Sequence, residues 1–225
     1  MYPHVLGEFE TVERLLTGKS IARFGDGELK ILSGVGYSRE PRNGRLTAEM
    51  RMLVASPAKD CLIGIPTMNP AGPKYANWQR HEERFCQFFE DGDGHEYVSA
   101  FITRPDSAAD RLESFEYFSL ISKLWARERV VVLSEPSSKL LACVKATNGA
   151  GAIHVECPSQ QAYSVINELE QAIIDAEPDV ALLSCGPTAT CLANRLAARG
   201  IQGLDLGSIG GLLMRWAPSR KRACD

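Results

Sequence analysis

Asp26 and Glu28 stand two residues apart in the stretch Arg23-Phe24-Gly25-Asp26-Gly27-Glu28. Two carboxylates that converge on one point suit a hard divalent cation, Mn²⁺ or Mg²⁺. On a helix this spacing splays the side chains by about 200°, whereas an extended or turning backbone lets them share one side. Gly25 and Gly27 favour the turning case, because glycine permits positive φ and close approach of another group. Asp-Gly is also ordinary turn chemistry, so the spacing alone leaves a metal site and a plain acidic turn both open. The stretch reads as a short strand from Ser20, the acidic turn, and then a helix over residues 28–32.

A second constellation is Ser184-Cys185-Gly186-Pro187-Thr188-Ala189-Thr190. It falls between an apolar run and a helical pattern. Gly186 allows close approach, and Pro187 suits a helix start because its missing N–H is not needed there. Thr188 is placed to cap the helix or face a ligand. Free N–H groups at such a start favour an anion, such as a diphosphate; a capped helix without a ligand fits equally. Asp205, near the end of the last apolar run, fits a ribose-hydroxyl acceptor, a base for an acceptor, or a turn cap. Arg23 and Arg104 could add positive charge to such a site or make structural ion pairs, with the ion pair preferred for Arg23.

The elements that must position these groups follow from hydrophobic periodicity. Strands are expected at residues 20–24, 61–66, 97–102, 130–133, 152–156, 180–184 and 202–206. Helices are expected at 9–16, 46–55, 78–89, 108–125, 138–146, 162–176 and 189–199. The aromatic stripe Trp78, Phe85, Phe88 and Phe89 reads as core, with sugar stacking by Trp78 as the minor alternative. Residues 38–45 read as a solvated polar loop carrying Arg39, Arg42 and Arg45. Strands that alternate with helices imply a single doubly wound, mostly parallel, Rossmann-like sheet with helices on both faces. A helical insertion fits between Gly64 and Asp93. In such a sheet ligands bind beyond the carboxyl ends of the strands, where both constellations lie.

Composition narrows the function class. The chain has 225 residues, 44% of them hydrophobic and 24% charged, enough for one large α/β domain. A net charge of -3 gives no general attraction to nucleic acid or anionic membrane. No apolar run is long enough for a membrane span, and Met1-Tyr2-Pro3-His4 has no signal-peptide character. A cytoplasmic protein is expected, and a homo-oligomer is compatible with the sequence. The seven cysteines form no Cys-x-x-Cys pair, and the four histidines show no zinc spacing. Residues 219–225 read as a short, disordered basic tail after a domain over 1–218.

Arg23-Phe24-Gly25-Asp26-Gly27-Glu28 resembles the signature of the GT-D type of glycosyltransferase, a bacterial family first catalogued as a domain of unknown function. Phe101-Ile102-Thr103-Arg104-Pro105, Gly186-Pro187-Thr188-Ala189-Thr190 and Gly203-Leu204-Asp205-Leu206-Gly207 are similar to that family as well. The resemblance implies a metal-dependent transferase that moves a sugar from a nucleotide-diphosphate donor, a UDP-sugar foremost, to a glycan or glycoconjugate. It implies a cation at Asp26 and Glu28. Arg23, Gly25, Gly27, Arg104, Gly186, Pro187, Thr188, Thr190 and Asp205 would surround the donor. Glu135, Ser159 and Gln161 can be laid on the same pattern, with the region of the last two suited to base or ribose recognition. Two departures stand out. Ser208-Ile209-Gly210-Gly211 replaces a stretch that tends to carry a histidine and an acid, and Pro136 stands where glycine is usual. A non-catalytic nucleotide-binding partner and a metal-dependent nucleotide phosphohydrolase are the alternatives.

Overall fold

The computed structural model describes residues 1–110, 112–147, 151–207 and 209. Seven strands form one sheet: β1 (Ser20–Arg23), β2 (Cys61–Ile65), β3 (Tyr97–Ser99), β4 (Val130–Ser134), β5 (Ile153–Glu156), β6 (Val180–Ser184) and β7 (Gln202–Asp205). Their order is β3-β2-β1-β7-β6-β4-β5. All the neighbouring pairs are parallel. The sheet is therefore wholly parallel among the described strands, one step beyond the mostly parallel sheet expected.

The strands are apolar without alternation because both faces are covered. Ala22, Ile63, Val131, Leu133, Ala181 and Leu183 point into one core. Ile21, Leu62, Val130, Val132, Val180 and Leu182 point into the other. The first face packs against α2 (Asp26–Leu32), α3 (Gly44–Ala55), α8 (Ile166–Asp175) and α9 (Pro187–Ala198). The second packs against α1 (Glu8–Leu16), α6 (Phe115–Ile121) and α7 (Leu140–Thr147). The exception is β5 at the sheet edge, where Ile153 is exposed.

Two expected helices come out differently. The stripe at residues 78–89 is split into α4 (Tyr75–Gln79) and α5 (Glu82–Phe85). Three-residue hydrogen bonds from His81 N to Trp78 O and from Arg84 N to His81 O tighten the chain between them. Phe85 and Phe89 are nonetheless fully buried, so the stripe packs as core. The long helix expected at 108–125 is confined to α6 and a 3-10 turn, Ser122–Trp125. The Ser114 hydroxyl caps α6 by accepting from Tyr117 N. Upstream, the Asp110 carboxylate accepts from the Glu8 and Phe9 N–H groups at the start of α1. Tertiary capping of another helix thus holds Asp110 where a continuous helix was expected. The expected basic tail lies outside the described residues. Among the described residues no helix is long and apolar enough to cross a membrane.

The packing of α9 on β7 depends on Gly203. A Cβ there would lie 2.9 Å from Ala193 Cα and 3.2 Å from Ala193 O. Both are backbone atoms of α9 and cannot rotate away. Gly203→Ala is expected to cost about 2 kcal/mol through overpacking. That lowers the melting temperature by roughly 4–8 °C in a chain of this size. A thermal melt within 1 °C of the parent would contradict this account.

Candidate functional site

Chain order creates an opening at one rim of the sheet. β1, β2 and β3 step towards one edge, and β4 and β5 towards the other. β6 and β7 then fill back until β7 lies beside β1. Neighbouring connections diverge there, at the carboxyl ends of β1, β7 and β6, and leave a crevice.

A cavity of about 150 Å³ occupies it, lined among others by Arg23, Gly25, Asp26, Glu28, Arg104, Gly186 and Asp205. Trp78 and Phe101 form an apolar wall, with ring centroids 5.0 Å apart. Asp26 and Glu28 share this cavity, but not by the route expected from spacing. α2 begins at Asp26, so both residues belong to its first turn. Gly25 is extended, with φ −105° and ψ −159°, and neither Gly25 nor Gly27 has positive φ. One Glu28 oxygen accepts from Gly25 N at 2.9 Å and so caps the helix. Asp26 is exposed at the mouth.

Burial pushes the Glu28 carboxyl up to about 7, and the nearby Asp205 charge adds to the rise. The capping bond and Arg23 oppose it more weakly. Asp205 is 5% exposed. Its own carboxyl is raised by burial, against the pull of Arg23. The Arg23 guanidinium lies 3.3 Å from Asp205 and also donates to Ala100 O and Thr103 Oγ1. Arg23 is therefore an ion-pair partner that lines the cavity. Asp205, read from sequence as ribose acceptor, base or turn cap, is the buried counterion of Arg23. Arg104 is bound twice by Asp106, at 2.9 and 3.0 Å, and this bond raises its already high pKa.

A second, narrower cleft lies across Gly186, with a volume of about 10 Å³. Its walls include Arg39, Glu40, Glu135, Ser159, Gln160 and Pro187. Gly186 lines both spaces. Its φ of 59° with ψ −144° is open only to glycine, and Pro187 follows as the first residue of α9. Glu135 lies 3.7 Å from Arg39 across the cleft.

Several residues proposed as ligand contacts have structural duties. Thr188 is fully buried and donates to Glu40 Oε1 at 3.0 Å, so it neither caps α9 nor faces a ligand. The Thr190 hydroxyl shares its one proton between Arg23 O, at 3.1 Å, and Asp205, at 3.3 Å. Gln161 and Gly27 line neither space. The Gln161 backbone, left-handed at φ 53°, donates to Arg39 O, and its neighbour Gln160 takes the place on the cleft wall. Pro136 is exposed in a turn closed by Ser138 N to Glu135 O. Ser208 lies outside the described residues.

Sequence reasoning missed Glu40. It is 3% exposed inside a stretch that reads as a solvated loop. The Tyr163 N–H and the Thr188 hydroxyl both donate to Oε1. No periodicity marks a single buried acid among Pro41, Asn43 and Gly44.

The donor set at Asp26 and Glu28 fits a hard cation. Among the described residues, no cluster of three or more His, Cys, Asp or Glu side chains is close enough to enclose an ion. A magnesium-like ion is often held by one or two carboxylates, with water and substrate phosphate completing its shell. Two carboxylates, one of them at the mouth, match that pattern.

The family described as "Glycosyltransferase GT-D fold" matches residues 21–211. A relative named "Probable glycosyl transferase Gly", from Streptococcus gordonii, is 28% identical over 218 residues. "Glycosyltransferase GlyD" from Streptococcus pneumoniae serotype 4 is 26% identical over 217 residues. Each alignment covers 91% of this chain but only 32% and 26%, respectively, of the relative. The chain thus spans about a third or less of these curated relatives. A solved structure described as a new glycosyltransferase from Streptococcus sanguinis superposes with a TM-score of 0.81 at 24% identity. It covers 97% of this chain and 85% of that one. Another, described as a domain of unknown function with a distinct glycosyltransferase fold, gives 0.82 at 23%, covering 97% and 83%. At these identities the structural likeness establishes the fold.

Proposed function

The chain belongs to the glycosyltransferase GT-D fold family, and we propose that it transfers a sugar from a nucleotide-diphosphate donor, a UDP-sugar, to a glycan or glycoconjugate. The observation that carries this reading is the pair of spaces meeting at Gly186. The narrow cleft, which at about 10 Å³ must widen to admit a nucleoside, offers Ser159, Gln160, Glu135 and Arg39 for it. The wider cavity offers carboxylates and an aromatic wall for the sugar. The diphosphate then crosses Gly186, beside the start of α9.

Breaking the anomeric C–O bond leaves negative charge on the diphosphate and positive charge on the sugar. Asp26 and Glu28 would hold Mn²⁺ or Mg²⁺. Such an ion supplies positive charge where the leaving group develops its negative charge. Arg104 adds to that field from the cavity wall. The Arg23–Asp205 pair keeps a fixed dipole at its floor, and Trp78 with Phe101 screens one side from water.

Metal and nucleotide should bind cooperatively, because each offsets the other's charge and the coupling is reciprocal. A ligand at one hundred times its Kd stabilises by about 2.7 kcal/mol. UDP with Mn²⁺ is therefore expected to raise the melting temperature by roughly 5–10 °C. UDP alone should do much less, and Mn²⁺ alone little. Gly186→Val should weaken the combined shift. Equal shifts with and without Mn²⁺ would remove the metal from the reading. The absence of a shift with any nucleotide would sink the donor assignment.

A further inference from the structure

The segment between α2 and α3 carries a residue, Tyr37, whose hydroxyl ends beside Gly186, where the two spaces meet. Residues 37–40 form a tight turn, with Tyr37 N donating to Glu40 O at 2.8 Å and Glu40 N to Tyr37 O at 3.1 Å. The turn is clamped from outside. Gln161 N donates to Arg39 O at 2.8 Å. The buried Glu40 carboxylate accepts from Tyr163 N and Thr188 Oγ1, each at 3.0 Å. Leaving either donor unpaired in the interior would be costly, so the clamp resists opening. Close packing at Gly36, where a Cβ would lie 2.1 Å from Arg42 N, folds the segment onto itself.

This clamp fixes the direction of Tyr37. Its hydroxyl lies 3.4 Å from the position a Cβ would take on Gly186. It makes no hydrogen bond to another described residue. Gly186 lines both the cleft and the cavity, so a ligand that occupies both passes Gly186, beside this hydroxyl. We infer that Tyr37 is a binding residue whose hydroxyl donates a hydrogen bond to the diphosphate of the donor, and that Glu40 is the positioning residue that holds it there. The inference rests on the donor reading above.

The surrounding charge favours that role. Burial raises the phenol pKa, and Glu28, Glu40 and Asp26 raise it further against the pull of Arg39. The hydroxyl therefore stays protonated and remains a donor across the working pH range. A phenol donating to a charged phosphate oxygen makes the stronger kind of hydrogen bond. Phenylalanine keeps the ring and its packing but removes that donor.

The test titrates UDP, UMP and uridine, with Mn²⁺ present, into the parent protein and Tyr37→Phe. The expected result is a tenfold or greater loss of UDP affinity in the variant, with uridine affinity unchanged and UMP between them. A general structural role would weaken all three ligands alike, and that outcome overturns the inference. So does unchanged UDP affinity in Tyr37→Phe while the parent protein binds UDP. In both cases the donor reading survives. If the parent protein binds none of the three ligands, the donor reading falls and takes this inference with it. Thr188→Val, which removes one clamp bond to Glu40, is expected to reduce UDP affinity and leave uridine affinity in place. Equal loss for UDP and uridine there would deny Glu40 its positioning role.

Discussion

Asp26→Asn is expected to lower sugar transfer by roughly 10²-fold or more while the fold stays intact. Electrostatic stabilisation of a departing diphosphate is worth several kcal/mol, and each 1.36 kcal/mol is a factor of ten in rate. Asparagine keeps the size of the side chain and removes the charge that a hard cation requires. The structural cost is small because Asp26 is exposed and makes no ion pair among the described residues. Its one stabilising duty is as an acid in the first turn of α2, worth under about 1 kcal/mol. The melting temperature should fall by no more than about 4 °C. Turnover of UDP-sugars, with a pool of glycan acceptors and Mn²⁺, gives the comparison. Equal turnover in the parent and Asp26→Asn would remove the carboxylate from the mechanism, whatever the fate of the nucleotide cleft.

Much of the architecture was legible because its signals are local. Val180–Leu183 is an unbroken apolar run closed by Ser184, and β6 spans Val180–Ser184. Pro187 stands at the first position of α9, where its ring costs nothing. The geometry of the Asp26 and Glu28 motif differs from the turn that its spacing suggests. The capping bond from Gly25 to Glu28 makes the acidic turn the first turn of a helix, so no left-handed glycine is needed. The illegible parts are tertiary. Asp110 leaves a helical pattern to cap α1, a helix about a hundred residues upstream. Thr188 reads from sequence as a helix cap or a ligand contact, because its actual partner, Glu40, is 148 positions away. Buried polar pairs of this kind follow from three-dimensional hydrogen-bond satisfaction, which leaves no periodic trace.

In metal-free protein, stability relative to Glu28→Gln is expected to fall as pH rises from about 4.5 to about 7. The cause is the environment of Glu28. Its carboxyl begins near 4.5 in the unfolded chain and is pushed up to about 7 by burial and by Asp205. Below the unfolded value both states hold the proton, and the group places no burden on folding. Between the two values the unfolded state releases the proton while the folded state keeps it. Stability then declines with pH, because the folded state binds more protons. Above about 7 the decline is complete, with a total on the order of 3 kcal/mol. Glutamine retains an acceptor for the Gly25 N–H, so the start of α2 stays capped, but it has no proton to lose. Urea unfolding in EDTA at steps between pH 4.5 and 8 reads the difference directly. The two proteins should converge at the acidic end, with Glu28→Gln the more stable at pH 8. Parallel curves across the range would show that Glu28 titrates normally. Adding Mn²⁺ with UDP supplies a counter-charge to the ionised carboxylate. The parent protein should then lose its decline above pH 6, whereas Glu28→Gln, with no charge there to compensate, should gain less from the same addition.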